Sequence, residues 1–409
     1  MSFIADLHIH SRYSRACSRD LTPENLWRWG QLKGIRVIGT GDITHPLWLA
    51  ELTEKLVPAE KGLFTLKSGL RADNVPASCR ADVSFLLSGE ISCIYSKGGK
   101  TRKVHALVFL PDFAAAGRLQ ESLAKIGNIR SDGRPILGLD VKRLLRIVLD
   151  ISPDAMLVPA HAWTPHFSVF GAASGFDSLE ECFEELTPHI HAIETGLSSD
   201  PPMNWRLSML DRITLISNSD AHSPAKLGRE ANIFATGISY GEIRDAIATR
   251  KGFAGTIEFF PEEGKYHSDG HRSCGIRLSP GETLARDYLC PACGKKVTVG
   301  VLHRVEKLAD RPSGAHPAGA PLFRSVIPLA EIIAETLRVG VAGKKVERAY
   351  VDLLEKVGSE LSILMDAPAE RIARAGYPLV GEALRRMRAG NVRVTPGFDG
   401  EYGRIRALE

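Results

Sequence analysis

Short apolar runs alternate with amphipathic stretches through roughly the first 255 residues. The runs are short, rich in β-branched and large aliphatic residues, and bounded by turn formers, which predicts strands at 3–9, 37–40, 84–88, 103–110, 156–159, 192–194, 214–217 and 231–234. Between most of them the apolar positions recur every three or four residues, which predicts helices such as 22–33, 47–56, 141–150 and 178–186. The first of these has a proper start: Thr22 offers a capping hydroxyl and Pro23 takes the first helical position. Strand then helix, repeated about seven times, predicts a parallel α/β barrel, whose chemistry collects at the C-terminal ends of the strands.

The rhythm breaks after residue 255. Residues 256–312 hold closely spaced His and Cys and read as a small metal-stapled module. A Gly/Pro-rich stretch at 311–321 reads as a loop, and helical periodicity resumes at 329–339, 344–364, 369–375 and 379–388. The division expected is therefore a barrel over 1–255, a zinc-binding module over 256–312 and a C-terminal helical domain over 313–409.

Composition narrows the class. A hydrophobic fraction of 44% and a charged fraction of 24% are those of an ordinary globular protein. No apolar run approaches the ~20 residues needed to span a bilayer, and the N-terminus lacks the features of a signal peptide, so a cytoplasmic location without membrane contact is expected. Seven scattered cysteines argue against a disulfide framework, and Cys17, Cys79, Cys93 and Cys182 read as isolated thiols. The formal charge of +4 is unevenly placed: residues 1–250 carry 28 basic and 28 acidic residues, and residues 251–409 carry 24 and 20. The excess lies entirely in the C-terminal part, which favours a polyanionic partner there.

The candidate chemistry sits at strand ends. His8 and His10 are one residue apart in an apolar strand, so both imidazoles face one side. Asp42, Glu90, His105, His161, Asp220 and His222 each lie in or just after a later predicted strand. Imidazole and carboxylate donors without thiolates suit Zn, Mn or Fe rather than a soft-metal cluster. Eight such donors are too many for one tetrahedral ion and suit two or three, with Glu90 the natural bridge. Such clusters clamp a phosphate and activate water, which makes phosphoester hydrolysis the expected reaction. Glu194 ends a strand and offers a supporting carboxylate. His45 could be a ligand or a supporting donor, His166 reads as a substrate-side or surface residue, His189 and His191 read as structural, and Arg134 reads as an ordinary turn arginine that could also meet a phosphate.

In the second segment, Cys290-x-x-Cys293 and His271-x-x-Cys274 have the same gap and together make a closed Cys3His site, which is structural zinc chemistry. His267 competes for the histidine position.

These residues carry a resemblance. His8-x-His10, Thr40-Gly41-Asp42, Ser88-Gly89-Glu90, His105, Pro159-Ala160-His161 and Ser219-Asp220-Ala221-His222 resemble the successive motifs of the PHP (polymerase and histidinol phosphatase) superfamily over residues 1–250. The resemblance implies a distorted (β/α)7 barrel with a trinuclear metal site. One departure is that the usual Thr-Asp-His reads Thr40-Gly41-Asp42, so a carboxylate replaces an imidazole. The barrel followed by the His/Cys module, by Gly300-Val301-Leu302-His303-Arg304 and by helices resembles the endonuclease Q family over nearly the whole chain. That implies a DNA repair endonuclease nicking 5′ of hypoxanthine, uracil, xanthine or an abasic site. It also implies His8, His10, Glu90, Asp220 and His222 as the catalytic set, two or three divalent ions (Zn, Mn or Mg) in the barrel and one structural Zn.

Damaged DNA is the expected partner of a monomer, held by Arg272, Lys295, Lys296, Arg304 and Arg311. A second basic group is Arg385, Arg386, Arg388 and Arg393. Trp163, Phe167, Phe170 and Phe176, in the loop after His161, are candidates to line a pocket for an extruded base. The main rival is a small-molecule phosphatase, which leaves the last 159 residues without a task; a non-catalytic nucleic-acid-binding accessory is the third.

Overall fold

Strands β1 (Phe3–Asp6), β2 (Val37–Gly39) and β3 (Ser84–Lys97) lie side by side and parallel in the computed structural model, which describes residues 2–408. β4 (Lys100–Leu110) returns antiparallel along β3, and β5 (Met156–Pro159) pairs antiparallel with β4. β6 (Ala192–Glu194) and β7 (Thr214–Ile216) form a parallel pair. The Ala162 amide donates to the Glu194 carbonyl at 2.9 Å on one side of that pair, and an Ile9–Ala221 bridge joins the other side to the chain leaving β1. A distorted seven-strand barrel results, with β4 alone running against the rest. β8 (Ala231–Phe234) and β9 (Phe253–Glu258) extend the sheet from β1 as antiparallel neighbours.

The alternation along each strand sorts two apolar sets. Ala5, Val37, Leu86, Leu107, Val158, Ala192 and Ile216 belong to one buried cluster inside the ring. Their neighbours Ile38, Phe85, Leu87, Val108, Leu157 and Ile193 belong to the other, under the helices. Those helices include α1 (Pro23–Lys33), α2 (Pro46–Lys55), α3 (Phe113–Ala124) and α4 (Val141–Ile151). α1 is capped as its sequence suggests, with the Thr22 side chain accepting from the Asn25 amide. α4 buries Val141, Leu144, Leu145 and Val148, at helical spacing. α5 (Tyr240–Thr249) packs on the interior cluster beside Phe3 and Met156, the first residues of their strands, and so plugs the end opposite the site.

Two expectations change. The parallel barrel contains a long antiparallel hairpin, β3–β4, where the sequence suggested two short strands. Gly98 and Gly99, at φ +62° and +71°, form its two-residue turn, and a Gly-Gly pair is a hairpin signal. The single helix expected over 344–364 is two, α8 (Lys344–Lys356) and α9 (Glu360–Met365), because the chain breaks at Gly358 with φ +145°.

Before these helices, β10 (Asp269–His271) and β11 (Ile276–Leu278) form a small hairpin over the Leu278–Cys290–Val297 core. α6 (Val301–Leu308) leads from it to a loop, β12 (Leu322–Ser325) pairs parallel with β9, and α7 (Leu329–Leu337) precedes α8. α10 (Ala369–Arg374) and α11 (Pro378–Arg388) follow α9, and the tail closes as the antiparallel ribbon β13 (Arg393–Thr395) and β14 (Arg404–Arg406). Among the described residues no helix is long and apolar enough to cross a membrane.

The C-terminal helices share the buried core of the barrel's outer face, and one buried ion pair stands in the seam. Lys33 of α1 and Glu360 of α9 meet at 2.5 Å, and the same carboxylate accepts from Tyr350 Oη at 2.6 Å and the Leu329 amide at 3.1 Å. Removing the ammonium alone strands a buried carboxylate. Lys33→Met is expected to cost about 3–5 kcal/mol, and Lys33→Met with Glu360→Gln distinctly less. Denaturant unfolding of both variants measures the difference.

Candidate metal centre

The mouth of the barrel is built by strand ends that share one carboxylate. Glu90 lies two turns of the pleat beyond the interior residue Leu86, and His105 is one pleat from interior Leu107, so both point into the ring above its apolar layer. β1 stops at Asp6. The Asp6 carboxylate accepts from the amides of Ser219 (3.0 Å) and Gly228 (2.9 Å), which latches the loop carrying Asp220 and His222 onto β1. His8 and His10 follow, with ring centroids 5.5 Å apart.

Two sets of donors form, each with its ligand atoms within 4.8 Å of one another: His8, His10, Glu90 and Asp220, and Glu90, His105 and His161. One Glu90 oxygen lies 2.6 Å from His105 Nδ1 and 3.0 Å from His161 Nε2. The other lies 3.5 Å from His8 Nε2 and 3.4 Å from His10 Nε2. Asp220 closes the first set at 2.9 Å from His10 Nε2. Asp42, His161 and Asp220 have φ of +47°, +28° and +47°, left-handed backbone that non-glycine residues rarely adopt and that marks functional positions. Gly196, itself at φ +63°, makes room for one of them: a Cβ there would stand 2.5 Å from His161 Cβ.

The donors fit a divalent cation. His8 Nδ1 donates to Glu194 at 3.0 Å, which leaves Nε2 as the lone-pair nitrogen, and that atom is buried without a hydrogen-bond partner. It faces carboxylates, which cannot donate to it, so a cation is what completes the arrangement. The field is strongly negative. Burial alone would raise Glu90, but His105, Arg134 and His8 hold its carboxyl well below the usual range. Burial would lower His8, but with no ion present Glu194 and Glu90 hold it well above the usual imidazole range, so a proton on Nε2 and a cation there answer the same negative field. His105 goes the other way, pushed down to about 4 chiefly by burial.

Two predicted ligands stand beside the sets rather than in them. Asp42 accepts from His10 Nδ1 (3.1 Å), the Ser11 amide (2.7 Å) and hydroxyl (2.6 Å), and the Ser14 hydroxyl (2.9 Å). Its oxygens are thus occupied in orienting His10. His222 donates from Nδ1 to the Asp220 carbonyl at 2.8 Å and packs on the His10 ring, with its side chain 36% exposed. His45 is stacked on Tyr13 and bonds the Arg130 carbonyl, and belongs to the scaffold.

Sequence reasoning undervalued two residues. Glu194 accepts from His8, the His161 amide (2.8 Å) and Asn218 (3.0 Å), and so orients a residue of each set. Its position at a strand end was the available signal. Arg134, read as a turn arginine, donates from Nη1 to Glu90 at 3.0 Å. Nothing in its local sequence marks it, because the 131–135 loop reaches the site only through contacts such as Gly133 N to Tyr13 O (3.0 Å).

The aromatic loop is mostly core. Trp163, Phe170 and Phe176 are buried, and Phe167 alone of the four is partly accessible, its ring tilted against that of His105 with centroids 4.7 Å apart.

In the module, His271, Cys274, Cys290 and Cys293 converge as a second kind of donor set, and His267 is not part of it. Of the five basic residues assigned to nucleic acid, Arg272, Lys295 and Lys296 are exposed. Arg304 and Arg311 are committed elsewhere. Arg304 is buried, bonding the carbonyls of Phe170 and Phe176 (both 2.8 Å) and Asp177 (2.6 Å). Arg311 grips Asp211 with both terminal nitrogens. Both pin α6 and its following loop to the barrel. In the second basic group, Arg385 and Arg386 pair with Glu382, and Arg388 caps carbonyls of α9.

Comparison with known proteins follows the same lines. A family model, the MJ0043 C-terminal domain, matches residues 328–391. The uncharacterized protein MJ0043 of Methanocaldococcus jannaschii is 33% identical over 63% of this chain, which spans only 33% of that protein's length. The uncharacterized protein YqxK of Bacillus subtilis is 28% identical over 98% of both chains. Among solved structures, the lesion-specific endonuclease PfuEndoQ of Pyrococcus furiosus superposes with a TM-score of 0.86 and 32% identity, over 99% of this chain and 95% of that one. An endonuclease Q bound to a 27-mer duplex with an abasic lesion at its active site gives 0.85 and 32%, over 99% and 96%.

Two outcomes test the geometry. Glu194→Gln is expected to weaken divalent-ion binding by about 10–100-fold, read by competition with a chelator. Arg304→Met leaves buried carbonyls unpaired and is expected to cost about 1–3 kcal/mol for each, read as a lowered unfolding midpoint, with no change in affinity for duplex DNA.

Proposed function

The chain belongs to the endonuclease Q family of DNA-cleaving hydrolases, and on that footing we propose that it is a metal-dependent DNA repair endonuclease. Its substrate is duplex DNA with a deaminated base (hypoxanthine, uracil or xanthine) or an abasic site, nicked on the 5′ side of the lesion. The observation that carries this reading is the sharing of the Glu90 carboxylate by two histidine sets at the barrel mouth. The abasic duplex held by a structural relative matched almost end to end supports the substrate class.

His8, His10, Glu90 and Asp220 would hold one ion and Glu90, His105 and His161 another, drawn from Zn, Mn or Mg, and such ions would supply positive charge to the scissile phosphate and acidify water there. Water attacks phosphorus, the bond to the 3′ oxygen breaks, and a 3′-hydroxyl and a 5′-phosphate remain. The residues of the chain do the positioning. Glu194 keeps His8 in the Nδ1–H tautomer, and Asp42 aims His10. Arg134, 3.0 Å from Glu90, carries a planar cationic fork suited to a phosphoryl oxygen whose charge rises in the transition state. His222 has Nδ1 engaged by the Asp220 carbonyl, so Nε2 is the nitrogen open to a proton or an ion at the rim. His271, Cys274, Cys290 and Cys293 would hold a structural zinc that staples the module together. A lesion lowers the cost of extruding its nucleotide, and Phe167 is the accessible aromatic beside the site.

A purified His8→Ala variant is expected to lose nicking of a deoxyinosine duplex by at least a thousandfold (on the order of 4 kcal/mol of barrier), and chelation followed by addition of one divalent ion is expected to abolish and restore the wild-type activity. End-mapped nicking over uracil, hypoxanthine, xanthine and abasic duplexes reads both. Retained nicking in His8→Ala rejects the metal role; turnover of a phosphomonoester without nicking rejects the nuclease.

A further inference from the structure

We propose that the groove between β11 of the His/Cys module and the β13–β14 ribbon docks the phosphate backbone of duplex DNA outside the metal centre. The proposal rests on the endonuclease reading for the identity of its polyanion. The groove holds about 460 Å³ and is lined by Arg277, Arg393, Arg404, Arg406, Tyr402 and Glu401, among others. Arg277, Arg393 and Arg404 are exposed, and among the described residues none of the three makes an ion pair with a carboxylate.

Other basic residues of the C-terminal part are committed. Arg304, Arg311, Arg385 and Arg386 each meet a carboxylate, and Arg388 is spent on carbonyls. At the groove Arg277, Arg393 and Arg404 converge with a single lining carboxylate, Glu401. Concentrating like charge on a two-stranded ribbon costs stability unless an anion is present, since basic residues on neighbouring strands repel. Guanidinium forks match phosphate oxygens in pairs, which makes nucleic-acid backbone the polyanion of best fit.

The groove is also held in place. Arg277 Nη1 donates to the Pro396 carbonyl at 3.0 Å across the seam. The Gly397 and Gly403 amides donate to the carbonyls of Glu262 (2.8 Å) and Glu263 (3.0 Å), and the Ser268 amide donates to the Gly397 carbonyl (3.0 Å). Residues 262–268 follow the C-terminal end of β9. β9 runs in the sense of β1, being antiparallel to β8, which is antiparallel to β1. The ribbon is therefore anchored on the face of the barrel where the metal donors open, and a duplex with its lesion at the mouth passes within reach of it. Tyr402, with 71% of its surface exposed and Lys265 over its ring, extends the basic rim.

The test compares wild type with R277Q/R393Q/R404Q and with R277K/R393K/R404K. Substrates are a long lesion duplex (about 15 base pairs on each side) and a short one (about 5), with binding of undamaged duplex measured as a function of salt. The Gln variant is expected to raise KM on the long duplex at least tenfold with kcat unchanged, and to leave the short duplex unaffected. Its slope of log affinity against log salt is expected to become shallower by about one for each arginine lost. The Lys variant is expected to stay within about threefold of wild type. Thermal unfolding and zinc content check that each variant is folded. An unchanged KM and salt slope in the Gln variant overturns the proposal, as does an equal loss on both duplexes or a fall in kcat alone. If wild type nicks no lesion, the endonuclease reading fails, while the salt slopes on undamaged duplex still decide whether the groove holds a backbone.

Discussion

A single buried carboxylate, Glu90, holds the site together. Two histidine sets from opposite sides of the barrel meet at its two oxygens, and Arg134 adds a third positive group. A carboxylate in that position cannot be buried without cationic company, because desolvation alone would neutralise it. The surrounding imidazoles hold it ionised, and its negative field in turn draws cations to His8 Nε2, which no donor of the protein satisfies. The same property that makes Glu90 expensive to bury makes it a strong attractor of divalent cations.

The fold serves that point through devices that are not ligands. Asp6 latches the Asp220 loop to β1, Glu194 sets the His8 tautomer while holding the His161 backbone, and Asp42 with Ser11 and Ser14 fixes His10. Left-handed backbone at Asp42, His161 and Asp220 turns their side chains at the strand ends. Below this polar layer the interior is apolar and closed by α5. A rigid apolar floor with a preorganised polar rim is what electrostatic catalysis on a phosphate requires.

The regions beyond the barrel are docked rather than tethered. Arg304 threads carbonyls of the 170–177 loop, and Lys33 with Glu360 locks α9 to α1. Charge therefore has two uses in this chain. Arg304 and Arg311 build the assembly, while Arg277, Arg393 and Arg404 stay exposed and without a carboxylate partner at the module and the ribbon. Counting basic residues by segment does not distinguish these uses, since Arg304 and Lys295 lie nine positions apart and one is buried while the other is exposed.

By itself the sequence determined the alternation of strands and helices, the strand-end placement of His8, His10, Glu90, His105, His161 and Asp220, and the His/Cys quartet. Each of these depends on local period or spacing, and such signals survive without knowledge of long-range contacts. The β3–β4 hairpin was legible too, in Gly98-Gly99, but its continuation through 89–97 was hidden by mixed polarity on a strand that is buried for much of its length. Only tertiary structure decided that Asp42 bonds His10, Ser11 and Ser14, that Arg134 reaches Glu90, that Trp163, Phe170 and Phe176 are core, and that Arg304 bonds the carbonyls of Phe170 and Phe176. These outcomes depend on which groups lie opposite one another across sequence separations of 32 for Asp42 and His10, 44 for Arg134 and Glu90, and 134 for Arg304 and Phe170. A side chain's role there is set by the partner it meets, which no neighbour in sequence specifies.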